Sequence, residues 1–471
     1  MNFLADIKFT PLWSDWLVYL LFFTLAVAFF YVRRHEHLLS PWRQIARRKL
    51  AMIALIVLSL YAVIGFIDSI HFKVALPKQD SSQQTQYSAE TLSVLDVILK
   101  PIRENDEKTF SAPFALTLFA KENIDVNGKT IRDYPRLKYG GAHLESVDER
   151  AADVFTRFLH GSARALVLLA VLVLLALIYD ARRKGIMIAA AIHRLVRGEY
   201  EIPARTIVLT IGLFIWVGMV LAHLAPYYHV LGTDKVGQDV LYLSLKSIRT
   251  GLIIGTLSPV IMLPFAILLG VMAGYFRGWV DDVIQYVYTT LNSIPGILLI
   301  AAFVLMIQVI IDNNPDMFSN LAARADAKLL ALCLILGITS WTGLCRLLRA
   351  ETLKLREIDY IQASLSFGVR NMRILTRHLV PNVMHIVMII VVIDFSGLVL
   401  AEAVLAYVGV GVDPSINSWG NMINSARLEM AREPIVWWSL VAAFMFMFVL
   451  VLAANLFSDA VRDAFDPRLR K

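Results

Sequence analysis

The feature that most constrains this 471-residue sequence is a series of apolar segments, each long enough or nearly long enough to cross a lipid bilayer. A membrane-spanning helix needs roughly 20 mostly apolar residues. Only 18% of the residues are charged, against roughly 25% in an ordinary soluble domain, which excludes a soluble enzyme of this size. We therefore expect an all-α polytopic membrane protein whose nine apolar segments are residues 16–32, 50–67, 165–179, 206–225, 251–276, 283–311, 329–345, 383–405 and 435–457.

The basic residues fall into blocks between these segments. Residues 33–49 and 180–205 each carry six Lys and Arg, residues 346–384 carry seven, and the tail after Ser458 carries four. Cytoplasmic loops are enriched in Lys and Arg, so we expect these blocks in the cytoplasm. This distribution predicts a multi-pass protein of the inner (cytoplasmic) membrane, with its N-terminus outside and its C-terminus inside. The net charge of +7 then reflects topology and gives no reason to expect a nucleic-acid partner.

The stretch between the second and third spans differs from the rest in composition. It opens with a Gln- and Ser-rich linker at residues 79–86 and continues with mixed charges and a few aromatic residues. A loop of this length is translocated largely regardless of its own charges, so we expect a small extracytoplasmic insert domain. The predicted units are two N-terminal spans (1–67), the insert (68–159), a third extra span with a basic loop (160–205) and a six-helix core (206–471).

The segment between the seventh and eighth spans, about residues 358–380, has the pattern of an amphipathic surface helix. Gly368 lies on its apolar stripe, where it can break the helix or let another backbone come close. Pro381 restricts the backbone just before the next span. The apolar stripe comprises Ile361, Leu365, Met372, Leu375 and Leu379, and the polar face comprises Gln362, Ser366, Arg370, Arg373 and Arg377.

Taken alone, such a helix is equally typical of a membrane-surface anchor. However, Gln362-Ala363-Ser364, then Gly368, then His378-Leu379-Val380-Pro381 resemble the EAA loop of ABC importer permeases. The family pattern is Glu-Ala-Ala, three residues, Gly, nine residues, Ile, any residue and Leu-Pro, and its loop is the coupling helix that docks on the ATPase. The family's Glu is replaced by Gln362 and its second Ala by Ser364. The resemblance implies an ATPase contact formed by Ile361, Gln362, Ala363, Ser364, Leu365, Gly368, Arg373 and Pro381.

Four further sequence motifs resemble those of the C-type subunit of the dipeptide and oligopeptide permease subfamily, and with the EAA-like loop they occur in the same order along the chain as in that subfamily. The first is similar to an outer-loop motif of that subfamily and contains Gly232, Thr233, Asp234, Gly237 and Asp239, with Gln238 where Arg is usual. The others are Gly274-Tyr275-Phe276 with Gly278-Trp279-Val280-Asp281; Leu400-Ala401-Glu402-Ala403 with Gly409, Gly411, Pro414, Ser418, Trp419 and Gly420; and Asn455-Leu456 with Asp459, Arg462, Asp463 and residues 466–470.

The resemblance covers about the last 266 residues and implies a type I permease core that forms a transport channel for di- or oligopeptides. The implied partners are a homologous B-type permease, two ABC ATPase subunits, an extracytoplasmic substrate-binding protein and membrane lipid. ATP and Mg would bind the ATPases, since this sequence lacks a Gly-x-x-x-x-Gly-Lys-Ser/Thr loop. We expect no cofactor and no enzyme activity in this chain. The family says nothing about residues 1–205.

Two acidic residues of the eighth span, Asp394 and Glu402, are candidates for the translocation path, because charged groups within spans usually face a cavity or the bundle interior. For Glu402 the alternative is a structural role at the interface. The histidines show no metal-site spacing, and the spans show no hydrolase pairing. Two other functions stay open: a non-ABC transporter or channel with a surface-anchored helix, and an ABC importer for metals or their chelates.

Overall fold

The computed structural model describes residues 7–76, 86–126, 129–318 and 320–465. The predicted linker 79–86 and the motif residues 466–470 therefore lie largely or wholly outside the described residues. The helices are α1 (Trp13–Arg34), α2 (Glu36–Arg47), α3 (Lys49–Asp68), α4 (Val94–Ile98), α5 (Lys100–Arg103), α6 (Arg150–Lys184), α7 (Ile188–Arg197), α8 (Ala204–Leu224), α9 (Val240–Phe276), α10 (Gly278–Ser293), α11 (Gly296–Asn313), α12 (Leu321–Arg356), α13 (Asp359–Ser366), α14 (Asn371–Ile374), α15 (Val380–Val408), α16 (Trp419–Glu429) and α17 (Trp438–Phe465).

Five short strands accompany these helices: β1 (Ile7–Phe9), β2 (His71–Val74), β3 (Leu92–Ser93), β4 (Glu122–Val126) and β5 (Lys129–Asp133). The predicted all-α membrane class is confirmed, since the strands are few and lie between or beside the helices. Strands β1, β2 and β3 form an antiparallel sheet in that order, and β4 and β5 form a separate hairpin. The insert therefore takes one strand, β1, from the N-terminus, which the predicted boundary at residue 68 did not include.

Among the described residues, eight helices are long and apolar enough to cross a membrane. They are α1, α3, α6, α8, α9, α11, the continuous helix Asn371–Val408 and α17, and they coincide with eight of the nine predicted spans. The other predicted span, residues 329–345, lies inside α12, which packs lengthwise against α9; its crossing of the bilayer stays a prediction.

The sixth predicted span is interrupted, which the apolar run 283–311 did not indicate. Helix α10 ends at Ser293 and α11 begins at Gly296. Ile294 is extended, because the ring of Pro295 disfavours a helical conformation in the preceding residue. The predicted single span is therefore two helices.

The bundle has two ends that can be told apart by their contacts. Strand β1 pairs with β2 through Ile7 and Val74, so the N-terminal strand lies at the same end as the insert. At the opposite end, Arg48 lies 2.5 Å from Asp463 near the end of α17. The first and last described segments thus lie at opposite ends, an arrangement that the nine predicted crossings require and eight would not give.

Helices α9 and α12 approach each other closely along their length. A Cβ atom at Gly270 of α9 would lie 2.8 Å from the carbonyl oxygen of Cys345 in α12, and one at Gly274 would lie 2.7 Å from that of Arg349. Small residues allow helices in a membrane to pack this closely. Cys333 and Cys345 are both buried in α12, each as a free thiol.

A buried ion network joins the N-terminal helices to the rest of the bundle. The Arg249 guanidinium of α9 lies 2.7 Å from Asp15 of α1 and 3.9 Å from Asp326 of α12. His71 of β2 lies 2.8 Å from the other oxygen of Asp15. The Ser14 hydroxyl accepts a hydrogen bond from Arg249 at 2.6 Å and donates one to Asp326. Both carboxylates are almost wholly buried, so their charges need the nearby cation.

A second network, close to the first on α9, holds the insert. Lys246 lies 2.6 Å from Asp68 at the end of α3 and 3.0 Å from Asp96 of α4. The Tyr242 hydroxyl donates to Asp96 at 2.8 Å, and the Ser93 hydroxyl donates to Asp68 at 2.6 Å. Helices α1 and α3 and the first part of the insert are therefore packed into the bundle through charged contacts and are not a detachable addition.

We predict that Arg249→Ala destabilises the chain strongly, because it leaves Asp15 and Asp326 buried without their cation. Breaking a buried ion pair in this way costs about 3–5 kcal/mol. The measurement is the temperature at which Cys333 and Cys345, buried in the fold, react with a maleimide dye in detergent. The control is Arg427→Ala, which removes an exposed arginine from α16. Equal melting temperatures for the two variants would contradict the assignment.

Candidate functional site

The residues singled out between the seventh and eighth spans begin on α13, directly after α12. Ile361 is fully buried and anchors this short helix, while Leu365 is half-buried. Gln362 and Ala363 are exposed, and the Gln362 amide donates to the carbonyl of Arg356 at 2.9 Å. Ser364 is half-buried. The helix thus presents Gln362 and Ala363 outward at the end of the bundle opposite the insert.

The amphipathic helix predicted over about 358–380 is divided in two, because α13 ends at Ser366 and Gly368 breaks the helix, one of the two roles expected of this glycine. Gly368 has a φ of +70°, and its N–H bonds to Leu365 while that of Val369 bonds back to Ser364. This pair of bonds is the Schellman arrangement that terminates helices at a left-handed glycine. A Cβ atom at Gly368 would meet nothing within 4 Å, so the glycine is needed for its backbone conformation and not for space.

A second helix begins at Asn371 and continues into α15. It contains a π-helical turn at Leu375–Leu379, separated by one residue from Pro381, which is exposed and lacks the N–H that a regular helix would use. Arg373 is exposed, as predicted for the polar face.

The predicted apolar face of this segment is buried only in part. Ile361, Leu375 and Leu379 are buried, but Met372 is 67% exposed because the break at Gly368 changes the helical phase. Phe367, which lies between the two helices, is 86% exposed. Sequence reasoning missed Phe367, since the only signal was its position directly before the helix-ending glycine.

The predicted outer-loop residues come together as the loop that begins α9. Asp239 caps the helix, with its carboxylate accepting from the N–H groups of Leu241 at 2.8 Å and Tyr242 at 3.4 Å. Asp234 accepts from the N–H groups of Val236 and Gln238, both at 2.9 Å. Gly232 and Gly237 have φ angles of +74° and +87°, which side-chain-bearing residues rarely adopt. The motif therefore specifies a tight turn and a helix cap.

The insert is docked on this loop through backbone hydrogen bonds. Thr233 and Ser111 exchange two: the Thr233 N–H donates to the Ser111 carbonyl at 3.0 Å, and the Ser111 N–H donates to the Thr233 hydroxyl at 2.7 Å. The Glu107 N–H donates to the carbonyl of Gly237 at 3.0 Å. A Cβ atom at Gly237 would lie 1.8 Å from the Glu107 carbonyl oxygen, so no other residue fits there without displacing the insert.

A buried histidine completes this contact. His229 Nδ1 lies 2.8 Å from Asp239 and forms a hydrogen bond with it, whereas Nε2 lies 3.5 Å from Glu107, within ion-pair distance but without a hydrogen bond. Burial disfavours the charged imidazolium, but Asp239 and Glu107 outweigh it and raise the pKa of His229 to about 9. Burial likewise disfavours the Glu107 carboxylate, but His229 and the backbone N–H groups of residues 138–140 lower its pKa to about 2. The docking contact is therefore ionic at neutral pH.

The two acidic residues of α15 lie in different surroundings. Asp394 lines a cavity of about 520 Å³ between α12 and α15, together with Arg346. Glu402 is 4% exposed, and a Cβ atom at Gly420 would lie 2.6 Å from its carboxylate oxygen. Both translocation-path assignments stay predictions, and the cavity supports only that of Asp394.

This architecture is that of a multi-pass membrane protein, and comparison with known proteins identifies its family. A family model described as "binding-protein-dependent transport system inner membrane component" matches residues 266–471. The glutathione transport system permease protein GsiD of Pectobacterium atrosepticum is 31% identical over 242 residues, which are 51% of this chain and 73% of that protein. The chain belongs to this family.

Two further relatives are peptide transport proteins by name. The oligopeptide transport system permease protein OppC of Mycobacterium tuberculosis is 32% identical over 242 residues, 51% of this chain and 77% of that protein. The dipeptide transport system permease protein DppC of Bacillus subtilis is 27% identical over 243 residues, 52% of this chain and 70% of that protein. The resemblance to peptide permeases is confirmed, and both α13 and the α15 residues lie within the matched family region.

We predict that stability falls with rising pH in a window set by His229. Because its pKa is raised from 6.5 to about 9, the imidazolium stabilises the docked insert fully below pH 6.5, and this contribution is lost as pH rises through about 9. The full contribution is on the order of 3 kcal/mol. The measurement is the melting temperature between pH 6.5 and 9.5, for the native chain and for His229→Gln. The variant should have a flatter profile, and parallel profiles would contradict the role of His229.

Proposed function

We propose that the chain is the C-type, channel-forming permease subunit of an ATP-driven importer of di- or oligopeptides. The observation that carries this is the coupling segment. Helix α13 is anchored by the buried Ile361 and presents Gln362, Ala363 and Phe367 at the end of the bundle opposite the insert. The names of the relatives, which are permease proteins for oligopeptides, dipeptides and glutathione, support the substrate class.

The proposed partners follow from this assignment. Two ABC ATPases would dock at the α13 end, a homologous B-type permease would complete the channel, and a binding protein would deliver peptide at the insert end. ATP hydrolysis belongs to the ATPases, so this chain transmits movement and carries no catalytic residue. Phe367 would insert into the surface of the ATPase, because exposed aromatic side chains often anchor protein interfaces. ATP binding would then move α13 and open the channel outward, and hydrolysis would reset it.

Gly368 offers the sharpest test of the coupling segment. Valine at this left-handed position costs about 1–2 kcal/mol and would displace Phe367 and the end of α13. We predict that Gly368→Val inserts normally but binds the ATPases about 5- to 30-fold more weakly and loses peptide uptake in proportion. Gly368→Asn, which tolerates this conformation, should retain most of both activities.

The matched control is Gly185→Val, at the turn between α6 and α7. Gly185 has a φ of +63° and, like Gly368, has no atom within 4 Å of a built Cβ. The Gly185→Val substitution makes the same chemical change at the same end of the bundle, away from α13. Co-purification of the ATPases and uptake of labelled peptide are the measurements. Normal coupling in Gly368→Val, or equal losses in the two valine variants, would contradict the assignment of this segment.

We also propose that the end with the insert faces outward and that the insert forms part of the surface met by the binding protein. The charge distribution supports this orientation, because α2, α7 and the loops beside them carry the basic blocks 33–49 and 180–205 at the opposite end. The insert covers the turn at residues 229–239 through the hydrogen bonds described above, so a protein approaching this part of the outer end meets the insert first.

A single-cysteine experiment tests both statements, because the native thiols are buried. Ile131→Cys on the β4–β5 hairpin, 49% exposed, should react with an impermeant maleimide on intact spheroplasts and become protected by excess binding protein. Met187→Cys, 78% exposed at the other end, should react only after permeabilisation. The reverse labelling pattern would overturn the orientation.

The protection of position 131 by the binding protein is compared with that of a second exposed position at the same end of the bundle. Met317→Cys lies after α11, at the same end as the insert, and is 78% exposed. If the binding protein protects position 317 but not position 131, docking uses the core loops and the insert has another role.

A further inference from the structure

The groove between α6 and α8 has no role in the transport function described above. It encloses about 660 Å³, a volume typical of small-ligand sites. Its walls are aliphatic along both helices, from Leu169 to Leu177 on α6 and from Ile207 to Ile211 on α8. At one end its lining becomes polar, with Asp180, Arg183, Lys184 and Tyr200. The groove is therefore amphipathic along its length.

The length of the groove matches one leaflet of a bilayer. Leu169 and Asp180 are separated by about 16 Å along α6 at 1.5 Å per residue. The hydrocarbon core of a bilayer is about 30 Å thick, so one leaflet contributes about half of that. The aliphatic walls thus lie at acyl-chain depth, and the polar end lies at the level of the headgroups. Tyr200 fits this level, because tyrosine is enriched at membrane interfaces.

The polar end carries an excess of positive charge. Lys184 lies 2.9 Å from Asp180 and 4.7 Å from the centre of the Tyr200 ring, whose hydroxyl donates to Asp180 at 2.8 Å. These contacts hold the lysine and balance its charge. Within the part of the chain that the structure describes, the exposed Arg183 guanidinium has no carboxylate within 4 Å. One cation at the mouth is thus left for an anionic group.

We propose that this groove binds one anionic phospholipid, with an acyl chain between α6 and α8 and the phosphate beside Arg183 and Lys184. Basic pockets between spanning helices are known to take such headgroups. A zwitterionic lipid would fill the same walls, but its own cation would oppose Arg183. The site lies at the end of the bundle that carries α2 and α7, and it does not depend on which substrate the channel carries or whether ATPases dock at α13.

The test uses the full-length chain, purified with any transport subunits that accompany it, and two lipids with the same acyl chains, phosphatidylglycerol and phosphatidylcholine. We expect phosphatidylglycerol to raise the melting temperature more than phosphatidylcholine and to remain bound in native mass spectra. Removing one cation near a membrane surface costs about 1 kcal/mol, so Arg183→Ala should bind phosphatidylglycerol about fivefold more weakly.

The matched control is Arg182→Ala, which removes the neighbouring exposed arginine that does not line the groove. It should keep the affinity of the native chain. Ala176→Phe, which fills the aliphatic wall, should weaken both lipids alike and tests the acyl-chain part separately. Equal binding of the two lipids by the native chain, or equal affinities in the Arg183 and Arg182 variants, would overturn the proposal.

Discussion

The contact between Arg249 and Asp15 is the interaction on which the arrangement of this protein most depends. It places a charge of the long helix α9 against the first residues of α1, and Asp326 brings α12 to the same point. A buried carboxylate is tolerated only with a nearby cation and hydrogen-bond donors, and here Ser14, His71 and Arg249 provide them. The constraint is mutual, because each element supplies a charge that the others need. Helices that lie outside the matched family region are thereby fixed to helices that lie inside it.

The turn that begins α9 extends the same principle to the insert. Family-like residues such as Gly232 and Asp239 form the turn and cap the helix, and the insert uses the groups that remain, the Thr233 backbone and the buried His229. Gly237 leaves no space for a side chain because the Glu107 carbonyl occupies it. The insert is therefore fitted to a turn whose shape the motif already required, and it shares the position of α9 through direct hydrogen bonds.

Sequence patterns predicted the elements far better than their contacts. Apolar runs located eight of the membrane helices because burial in lipid requires about 20 apolar residues, a local property. Gly368 breaks the helix, as one of the two roles expected of it, and the helical phase counted through this position placed Met372 on the wrong face, since a left-handed residue resets that phase. The pairing of β1 with β2 and the contact of His229 with Glu107 join residues more than 60 and 120 positions apart, and no local pattern encodes them.

The contacts at the two ends of the bundle are connected by rigid elements, which bears on how movement could cross the membrane. Helix α12 leads through a two-residue link into α13, and α12 packs against α9 so closely that Gly270 and Gly274 leave no room for a side chain. Packed helices resist independent bending, so a displacement of α13 would be passed to α9 as a movement of the pair. The other end of α9 holds the insert and the Arg249 network. Under the proposed function, the outer surface and the coupling segment are then two ends of one α9–α12 unit. The N-terminal helices would move with this unit, because Asp15 cannot separate from Arg249 without leaving a buried charge unpaired.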